Sequence, residues 1–386
     1  MSVETVTLGC RLNFAESATI ARTAPNGEDW IVVNSCAVTN EAVRQTRQAI
    51  RRAHRQRPSA KILVTGCAAE LEPASFVTMP GVSRVVGNAR KLSSMAANDV
   101  MAPAGLLANV KSFVAVQTGC DHRCTFCSIW QARGPSLSLP FEAIRDAVAR
   151  ELDRGAKEIV LTGVDITDYS GGLGNLCQHL LAAEPRLKRL RLSSLDSIEI
   201  DDLLFELIAG EPRLMPHFHL SLQAGDDMIL KRMRRRHSRA DAVRTVERIK
   251  GARGDATIGA DLIAGFPTET DAMALNSLRL LEDCDVIAAH IFPFSPRPNT
   301  PASRMPQLSG EIVKARAARL RIAAADRRGR WLESMIGTVQ PLLVEGPDKG
   351  HTDNFAPVAI AGARRGQTGR ALITGCDGDY LTAVWA

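Results

Sequence analysis

The chain has 386 residues, 45% apolar and 23% charged, with 48 Lys and Arg against 42 Asp and Glu. That length allows two or three domains at ~100–200 residues each, and the composition is that of a globular protein rather than a disordered or fibrous one. No apolar run approaches the ~18–20 residues needed to cross a bilayer, and MSVETVTLGC has no basic n-region of a signal peptide; a cytoplasmic protein with no membrane partner is expected, whose nine cysteines are metal ligands or catalytic thiols rather than disulfides.

VETVTLG, WIVVNSC and KILVTGC are short β-branched runs, separated by NFAESATIARTA and NEAVRQTRQAIRRAHRQR at helical spacing. Strands alternating with helices predict a parallel sheet with crossover connections. Each run ends in a small residue and then cysteine. Cys10, Cys36 and Cys67 therefore stand at the carboxyl ends of three strands, the edge where such sheets place ligands. They converge although 25 and 30 residues separate them in sequence. In the second helix Arg44, Arg47, Arg51 and Arg55 form one stripe, with a single acid, Glu41, at its start. A solvated charged face is the bland reading; unpaired arginines at this density favour a surface that contacts phosphates.

KLSSMAANDVMAPAGLLANV (Lys91 to Val110) is read as a linker with some helical content. From Lys111 the alternation resumes: SFVAVQT, EIVLTGVDI, RLRLSSLD, HFHLSLQAG, ATIGADLIAGFP and VIAAHIFPFS, with helices between. Six or seven such strands over ~200 residues predict a partial (β/α) barrel of the TIM type, with its site on the loops after the strands. The run KRMRRRHSR (Lys231 to Arg239) is a second basic stretch suited to RNA. Beyond the helix KARAARLRIAAADRRGRWLESMIG, short glycine-broken strands predict a small antiparallel barrel. There Asn354 and Phe355 are candidate RNA contacts, Phe355 as a stacking face. Aromatics make up only 4%, so extensive base stacking is not expected.

VQTGCDHRCTFCSIWQARG (Val116 to Gly134) carries Cys120, Cys124 and Cys127 in C-x3-C-x2-C spacing. Three thiolates on a cubane cluster that takes four leave one iron open to substrate or cofactor. His122 inside the loop keeps a four-ligand zinc site as the alternative. Cys177, Cys284 and Cys376 fit no ligand spacing and read as packing residues.

This triplet, just after a strand at the start of a β/α barrel and with Phe126 before its last cysteine, resembles the signature of the radical S-adenosylmethionine (SAM) enzymes. TLGCRLN, NSCAVTNEAVRQTR and VTGCAAE resemble the N-terminal domain of the methylthiotransferases within that superfamily, and LTGVDI, RLSSLDS, HLSLQAGDDMILKRMRR, IGADLIAGFPTET, LVEG and GHTDNFAPV match its later segments. TLGCRLN with NSCAVTNEA is nearest the branch that acts on N6-threonylcarbamoyladenosine (t6A) in tRNA.

The resemblance implies a flavodoxin-like parallel-sheet domain over 1–95, a linker over 96–110, a radical SAM partial barrel over 111–330 and a TRAM-like RNA-binding barrel over 331–386. It implies two [4Fe–4S] clusters, one on Cys10, Cys36 and Cys67 and one, catalytic, on Cys120, Cys124 and Cys127. SAM on the second cluster yields a 5′-deoxyadenosyl radical; C2–H of the adenine becomes C2–S–CH3. Phe126, Gly163, Val164, Asp165, Ser194, Gln223, Asp261, Ile263, Gly265 and Pro267 are the implied SAM contacts. For several of them, Gly265 and Pro267 above all, ordinary turn chemistry is the competing reading. Implied partners are the anticodon loop of tRNA, a reductant such as flavodoxin or ferredoxin, and a sulfur donor. Leu137 and Leu139 depart from the family pattern, standing where arginines are usual. Alternatives are action on isopentenyl-adenosine in tRNA, action on a ribosomal-protein side chain, and an iron–sulfur RNA-binding protein without turnover.

Overall fold

The computed structural model describes residues 3–23, 29–91 and 110–386. The first three β-branched runs form β1 (Glu4–Thr7), β2 (Trp30–Ser35) and β3 (Lys61–Gly66), and a fourth strand not read from the sequence, β4 (Val82–Val85), joins them, all parallel and in that order. Both faces of the sheet are covered. Ile31, Val33, Ile62 and Val64 share a core with Val43 and Ile50 of α2 (Asn40–Gln56), while Val32 and Leu63 meet Ile20 of α1 (Arg11–Thr23) on the other side. α2 begins where the Thr39 hydroxyl accepts from the Ala42 N–H at 3.1 Å, and its stripe Val43, Thr46, Ile50 and Ala53 is buried. After β3 come the short α3 (Cys67–Leu71) and α4 (Ala74–Val77). The expected linker, save Lys91 and Val110, lies outside the described residues.

The central unit begins with β5 (Lys111–Ala115), β6 (Gln117–Thr118), α5 (Ile129–Arg133), β7 (Leu137–Ser138), α6 (Phe141–Asp153), β8 (Glu158–Thr162) and α7 (Leu173–Ala183). It continues through β9 (Leu190–Leu192), β10 (Ser194–Leu195), α8 (Asp202–Gly210), β11 (His217–Gln223), α9 (Asp227–Met233) and α10 (Arg239–Ala252). β12 (Thr257–Ala264), α11 (Asp271–Asp283), β13 (Val286–Pro293) and α12 (Gly310–Glu333) complete it. Strands β5, β8 and β9 pair in parallel, as do β10 to β13, and β9 and β10 are one strand broken at Ser193. The result is a six-stranded open barrel, as expected from the sequence. Alternation divides its strands. Ile159, Leu161, Leu192, Phe218, Leu220 and Ile258 join the core beneath the helices. The positions between them (Glu158, Arg191, His217, His219, Thr257, Asp261) face the lumen and are polar. α1 lies against the β5 edge, its Phe14 ring 6.4 Å from that of Phe113.

β14 (Val339–Gly346), β15 (Lys349–Thr352), β16 (Pro357–Ala359), β17 (Thr368–Cys376) and β18 (Leu381–Trp385) close a small barrel in the order β14-β15-β16-β18-β17. It is docked on the amino end of the large barrel through charge. Lys111 pairs with Glu345 at 2.7 Å, Arg189 with Asp353, and Arg191 Nη2 donates to the Asp353 carbonyl at 3.2 Å. Burial alone would push the Glu345 carboxyl up; the hydrogen bond from His351 and the Lys111 ammonium outweigh it and pull it down to about 2.

A carboxyl depressed in the folded state stabilises above its ordinary value of 4.5, and that contribution fades as pH falls toward about 2. Wild-type protein is therefore expected to lose more stability to denaturant between about pH 5 and pH 2.5 than Glu345→Gln does. Equal losses in the two proteins would contradict this.

Candidate active site

The registers Thr7↔Asn34, Asn34↔Thr65 and Ser35↔Gly66 bring the residues just past β1, β2 and β3 together. Gly9 has φ +90°, and a Cβ there would lie 2.6 Å from both Cβ and Sγ of Cys36. Gly66 has φ +92°, and a Cβ there would lie 2.3 Å from the Ser35 carbonyl. The glycines before Cys10 and Cys67 are what let those turns close on the β2 end that carries Cys36. Cys36 and Cys67 are buried and Cys10 is exposed, and both Cys10 and Cys36 feel the charge of Cys67. Backbone and side-chain N–H groups already point at the sulfurs. Val38 N donates to Cys36 Sγ at 3.5 Å; Arg133 Nε and Asn88 Nδ2 donate to Cys67 Sγ at 3.3 and 3.7 Å. Burial pushes the Cys36 thiol up to about 12. An iron bound there would displace that proton.

The second trio lies in the loop between β6 and α5. Thr125 pins the loop, its N–H donating to Met233 O at 3.1 Å and its hydroxyl to Arg232 O at 2.8 Å. Cys120 and Cys127 are half-buried and Cys124 buried. Ile129 N donates to Cys127 Sγ at 3.3 Å and Arg235 Nη1 to Cys124 Sγ at 3.8 Å. Burial pushes Cys120 to about 12 and Cys127 to about 11. Three buried or half-buried sulfurs with convergent N–H donors suit an iron–sulfur cluster that keeps one iron open. His122 sits among carboxylates, 2.9 Å from Asp165, 3.4 Å from Glu199 and 3.6 Å from Asp196.

One side chain ties the trios together. Arg133, at the end of α5, donates to Cys67 Sγ, to Asn13 Oδ1 at 2.7 Å, to both Glu16 oxygens at 2.9 and 3.0 Å, and to Thr118 Oγ1 at 3.1 Å. Lys91 closes on Glu16 from the other side. Because α5 starts two residues after Cys127 and ends on Arg133, which bonds Cys67, the helix that leaves the second trio runs onto the first.

Residues 114–281 match the Radical SAM superfamily and residues 2–87 match Uncharacterized protein family UPF0004. The threonylcarbamoyladenosine tRNA methylthiotransferase MtaB of Rickettsia prowazekii is 41% identical, over 99% of this chain and 97% of that one. The chain belongs to the radical SAM methylthiotransferase family. The protein of the same name from Thermotoga maritima is 32% identical over 95% of this chain and 93% of its own length. A tRNA-2-methylthio-N(6)-dimethylallyladenosine synthase of Erythrobacter litoralis is 31% identical over 87% and 85%. In fold, the chain is similar to the radical SAM methyltransferase TsrM of Kitasatospora setae, at a TM-score of 0.55 and 14% identity, covering 73% of this chain and 66% of that one. This methylthiotransferase is thus a transferase whose cofactors are iron–sulfur cluster and SAM, which decides against the zinc alternative.

The residues expected to meet SAM fall into two groups. Val164 and Asp165 lie at the end of β8 with both N–H groups on Gln117 Oε1, at 3.0 and 2.9 Å, and Asp165 comes within 3.9 Å of Cys120 Sγ. A Cβ on Gly163 would meet Gln117 O at 2.8 Å. Ser194 and Gln223 stand at strand ends on the same rim, Gln223 with φ +65°. Ile263 shares an apolar cluster with Phe126 of the cysteine loop. Gly265 belongs elsewhere: its N–H donates to Glu269 at 3.0 Å, and a Cβ there would meet Val313 of α12 at 2.8 Å. Gly265 and Pro267 lie in the turn that follows β12. Asp261 lies deeper, in the lumen, hydrogen-bonded to His219 at 2.9 Å and His290 at 3.1 Å.

The RNA expectations need correction in three places. Phe355 offers no free stacking face. It is held between His217 and His351, with ring centroids 4.9 and 4.6 Å away and Lys111 and Arg191 over its ring. Asn354 is tied there too, its carbonyl accepting from Thr257 at 2.8 Å. Both plug the amino end of the large barrel. In the 231–239 run, Arg235 turns inward to Asp196 at 2.8 Å, Arg236 pairs with Glu199 and Arg239 with Asp283. On α2, Arg44 is paired with Glu41 at 2.5 Å and Arg47 with Glu72 at 3.3 Å, which leaves the far half of the stripe without an ion pair among the described residues. Arg51 and Arg55 remain exposed and, with Gln48 and Arg52, line a surface depression. Leu137 is 60% exposed in the β6–β7 hairpin, whereas Leu139 packs against the main core. Cys177 and Cys284 are core residues, and Cys376 packs in the small barrel.

Gln117, Arg133, His219, His290 and Arg191 were not singled out from sequence. The signal for the lumen was present: HFHLSLQ and RLRLSS alternate polar with apolar, which for a buried barrel strand means a polar interior.

Proposed function

We propose that this enzyme methylthiolates C2 of N6-threonylcarbamoyladenosine at position 37 of tRNA, with one [4Fe–4S] cluster on each cysteine trio. The observation that carries the reading is the pairing of two three-cysteine sites across Arg133, since transfer of a methylthio group needs a radical source and a sulfur source in one chamber. When bound, the clusters and SAM supply an electron to make a carbon radical that takes the C2 hydrogen, and a methylated sulfur to replace it.

The chain's own residues do the rest. Cys120, Cys124 and Cys127 hold one cluster with an iron position open, and Cys10, Cys36 and Cys67 hold the other. The N–H groups of Val38, Ile129, Asn88 and Arg133 stabilise negative sulfur. Gln117 fixes the 163–165 turn beside Cys120, where SAM's polar end is expected. Phe126 and Ile263 supply apolar walls that exclude water. Arg51, Arg52 and Arg55 form the phosphate-contacting face for the anticodon arm. A flavodoxin- or ferredoxin-like reductant and a separate sulfur donor complete the set, in the cytoplasm. Among the described residues no helix is long and apolar enough to cross a membrane.

The reading is tested by reconstituting the enzyme anaerobically and presenting tRNA that carries t6A or dimethylallyladenosine. Nucleoside mass spectrometry is expected to show 2-methylthio-t6A; product only from the dimethylallyl substrate would overturn the substrate assignment. Changing Arg51, Arg52 and Arg55 together to glutamine is expected to weaken tRNA binding and to lower the slope of log K against log salt by about 2 to 3. An unchanged slope would remove α2 from the RNA face.

A further inference from the structure

The segment between β13 and α12 reads SPRPNTPA over residues 295–302. Pro296, Pro298 and Pro301 each fix one backbone dihedral, and Asn299 takes a left-handed φ of +63° that asparagine tolerates. The segment is therefore a stiff strap, with little freedom left to lose on folding. Its near end is anchored where Phe294 N donates to Ala264 O at 2.8 Å, and the Phe294 ring meets Phe266 edge-on with centroids 5.4 Å apart. Its far end reaches the second cysteine trio. Ala302 N donates to Thr125 O at 3.0 Å, and Thr125 adjoins Cys124. Ala302 and Phe294 also share an apolar cluster with Phe126 of that loop, and Gln131 Nε2, just beyond it, donates to Asn299 O at 3.4 Å.

Between those ends the strap holds the N-terminal domain. α2 begins at Asn40, whose N–H has no acceptor within its own helix. It donates instead to Ser295 Oγ at 3.1 Å, and Asn40 Nδ2 donates to Pro296 O at 3.2 Å. Arg297 Nη1 donates in turn to Asn40 Oδ1, and Nη2 to Glu72 Oε1 at 3.3 Å, the carboxylate that also pairs with Arg47. Asn40 is exposed, so water competes for its bonds; Arg297 is 2% exposed, so its own are sheltered. Arg297 Nε is buried with no hydrogen-bond partner, a loss on the order of 1–3 kcal/mol. An apolar side chain would strand no donor there, so stability alone does not call for an arginine. Asn40 lies four residues after Cys36 and Glu72 five after Cys67. Arg133 bonds Cys67, Asn13 and Glu16 but not the Cys36 turn, and the strap supplies that attachment.

We propose that Arg297 is a positioning residue for methylthio transfer. Through Asn40 and Glu72 it holds the Cys36 and Cys67 turns at a fixed separation from the Cys124 loop, to which the same strap is tied. This rests on the two-cluster reading above and adds to it the element that sets the distance between the sites. Transfer depends on that distance, because a misplacement of about 1 Å costs on the order of 100-fold in a reaction between held groups. SAM cleavage does not, since it uses the second trio alone.

The test compares the wild-type enzyme with Arg297→Leu, which fills the space without the donors, and Arg297→Lys, which keeps the charge but not the fork. Each is the full-length protein, reconstituted anaerobically. Formation of 5′-deoxyadenosine is expected at wild-type order in all three. In Arg297→Leu the 5′-deoxyadenosine formed per methylthiolated nucleoside is expected to rise by about tenfold or more. The excess radical takes an electron from the dithionite in the assay and a proton from water. Arg297→Lys is expected to fall between. Two further readouts do not depend on turnover. Pulsed EPR on the two reduced clusters is expected to give a broader distance distribution in Arg297→Leu than in wild type. In the apoprotein, hydrogen exchange at the Asn40 amide is expected to speed by about tenfold or more while the β2 amides keep their rates. An unchanged product ratio in an Arg297→Leu enzyme that holds about eight irons would overturn the assignment. So would a fall of that variant to about four irons, since the strap would then build the first site rather than place it. Saturation of the wild-type enzyme at about four irons would mean that the two-cluster reading itself has failed, and the strap assignment with it.

Discussion

Changing Cys10, Cys36 and Cys67 together to alanine is expected to abolish methylthio transfer while leaving reductive cleavage of SAM at wild-type order, whereas Cys124→Ala abolishes both. The asymmetry follows from where the trios sit. Cys120, Cys124 and Cys127 lie on a loop pinned to the large barrel by Thr125 through Arg232 and Met233. The strand-end glycine turn and Asp165 stand beside Cys120. Nothing in that arrangement is carried by the first three strands. The N-terminal trio closes on itself through Gly9 and Gly66 and touches the second site through Arg133. Single-turnover assays with reduced enzyme, counting 5′-deoxyadenosine and methylthiolated nucleoside separately, read the split. Loss of 5′-deoxyadenosine in the triple variant would show that the two sites are one functional unit.

Arg133→Met is expected to destabilise the apoprotein by about 3 kcal/mol, because it removes one partner from a buried ion-paired network rather than a surface pair. The Arg133 side chain is 2% exposed and spans both domains, with Asn13, Glu16 and Cys67 on one side and Thr118 on the other. Burial pushes the Glu16 carboxyl up; the bonds from Arg133 and Lys91 outweigh it and hold it below its ordinary value. With Arg133 gone, Glu16 keeps Lys91, Asn13 Oδ1 loses its donor, and Cys67 Sγ loses the nearer of its two donors and keeps Asn88. Arg133→Lys restores the charge but not the planar fork, so it is expected to recover only part of the loss. Denaturant unfolding checks this, and a change below about 0.5 kcal/mol would mean the network is no stronger than a surface one.

Much of this was legible in the chain. Strand ends carrying Gly-Cys, Ser-Cys and Gly-Cys gave the first site, because a turn tight enough to bring sulfurs together needs a residue without a bulky Cβ. Close spacing gave the second. Arg133 was hidden because its partners lie as far as 120 residues away in sequence. The arginines of the 231–239 run read as a basic surface, but composition does not reveal that Asp196, Glu199 and Asp283 meet them from other elements. Phe355 misled for a related reason. An aromatic in a small RNA-type barrel suggests stacking on a base, yet it stacks on His217 and His351. On α2 the first two arginines find acids, one within the helix and one from the segment after α3, which composition along the helix does not show.

The central claim is that two open cysteine trios each hold a cluster and share one chamber. It is tested most directly by iron and sulfide analysis with EPR on anaerobically reconstituted protein. The account predicts about eight irons per chain, falling to about four when Cys10, Cys36 and Cys67 are replaced. It also predicts magnetic interaction between the two reduced clusters. Saturation of the wild-type protein at about four irons, unchanged by that triple replacement, would contradict it.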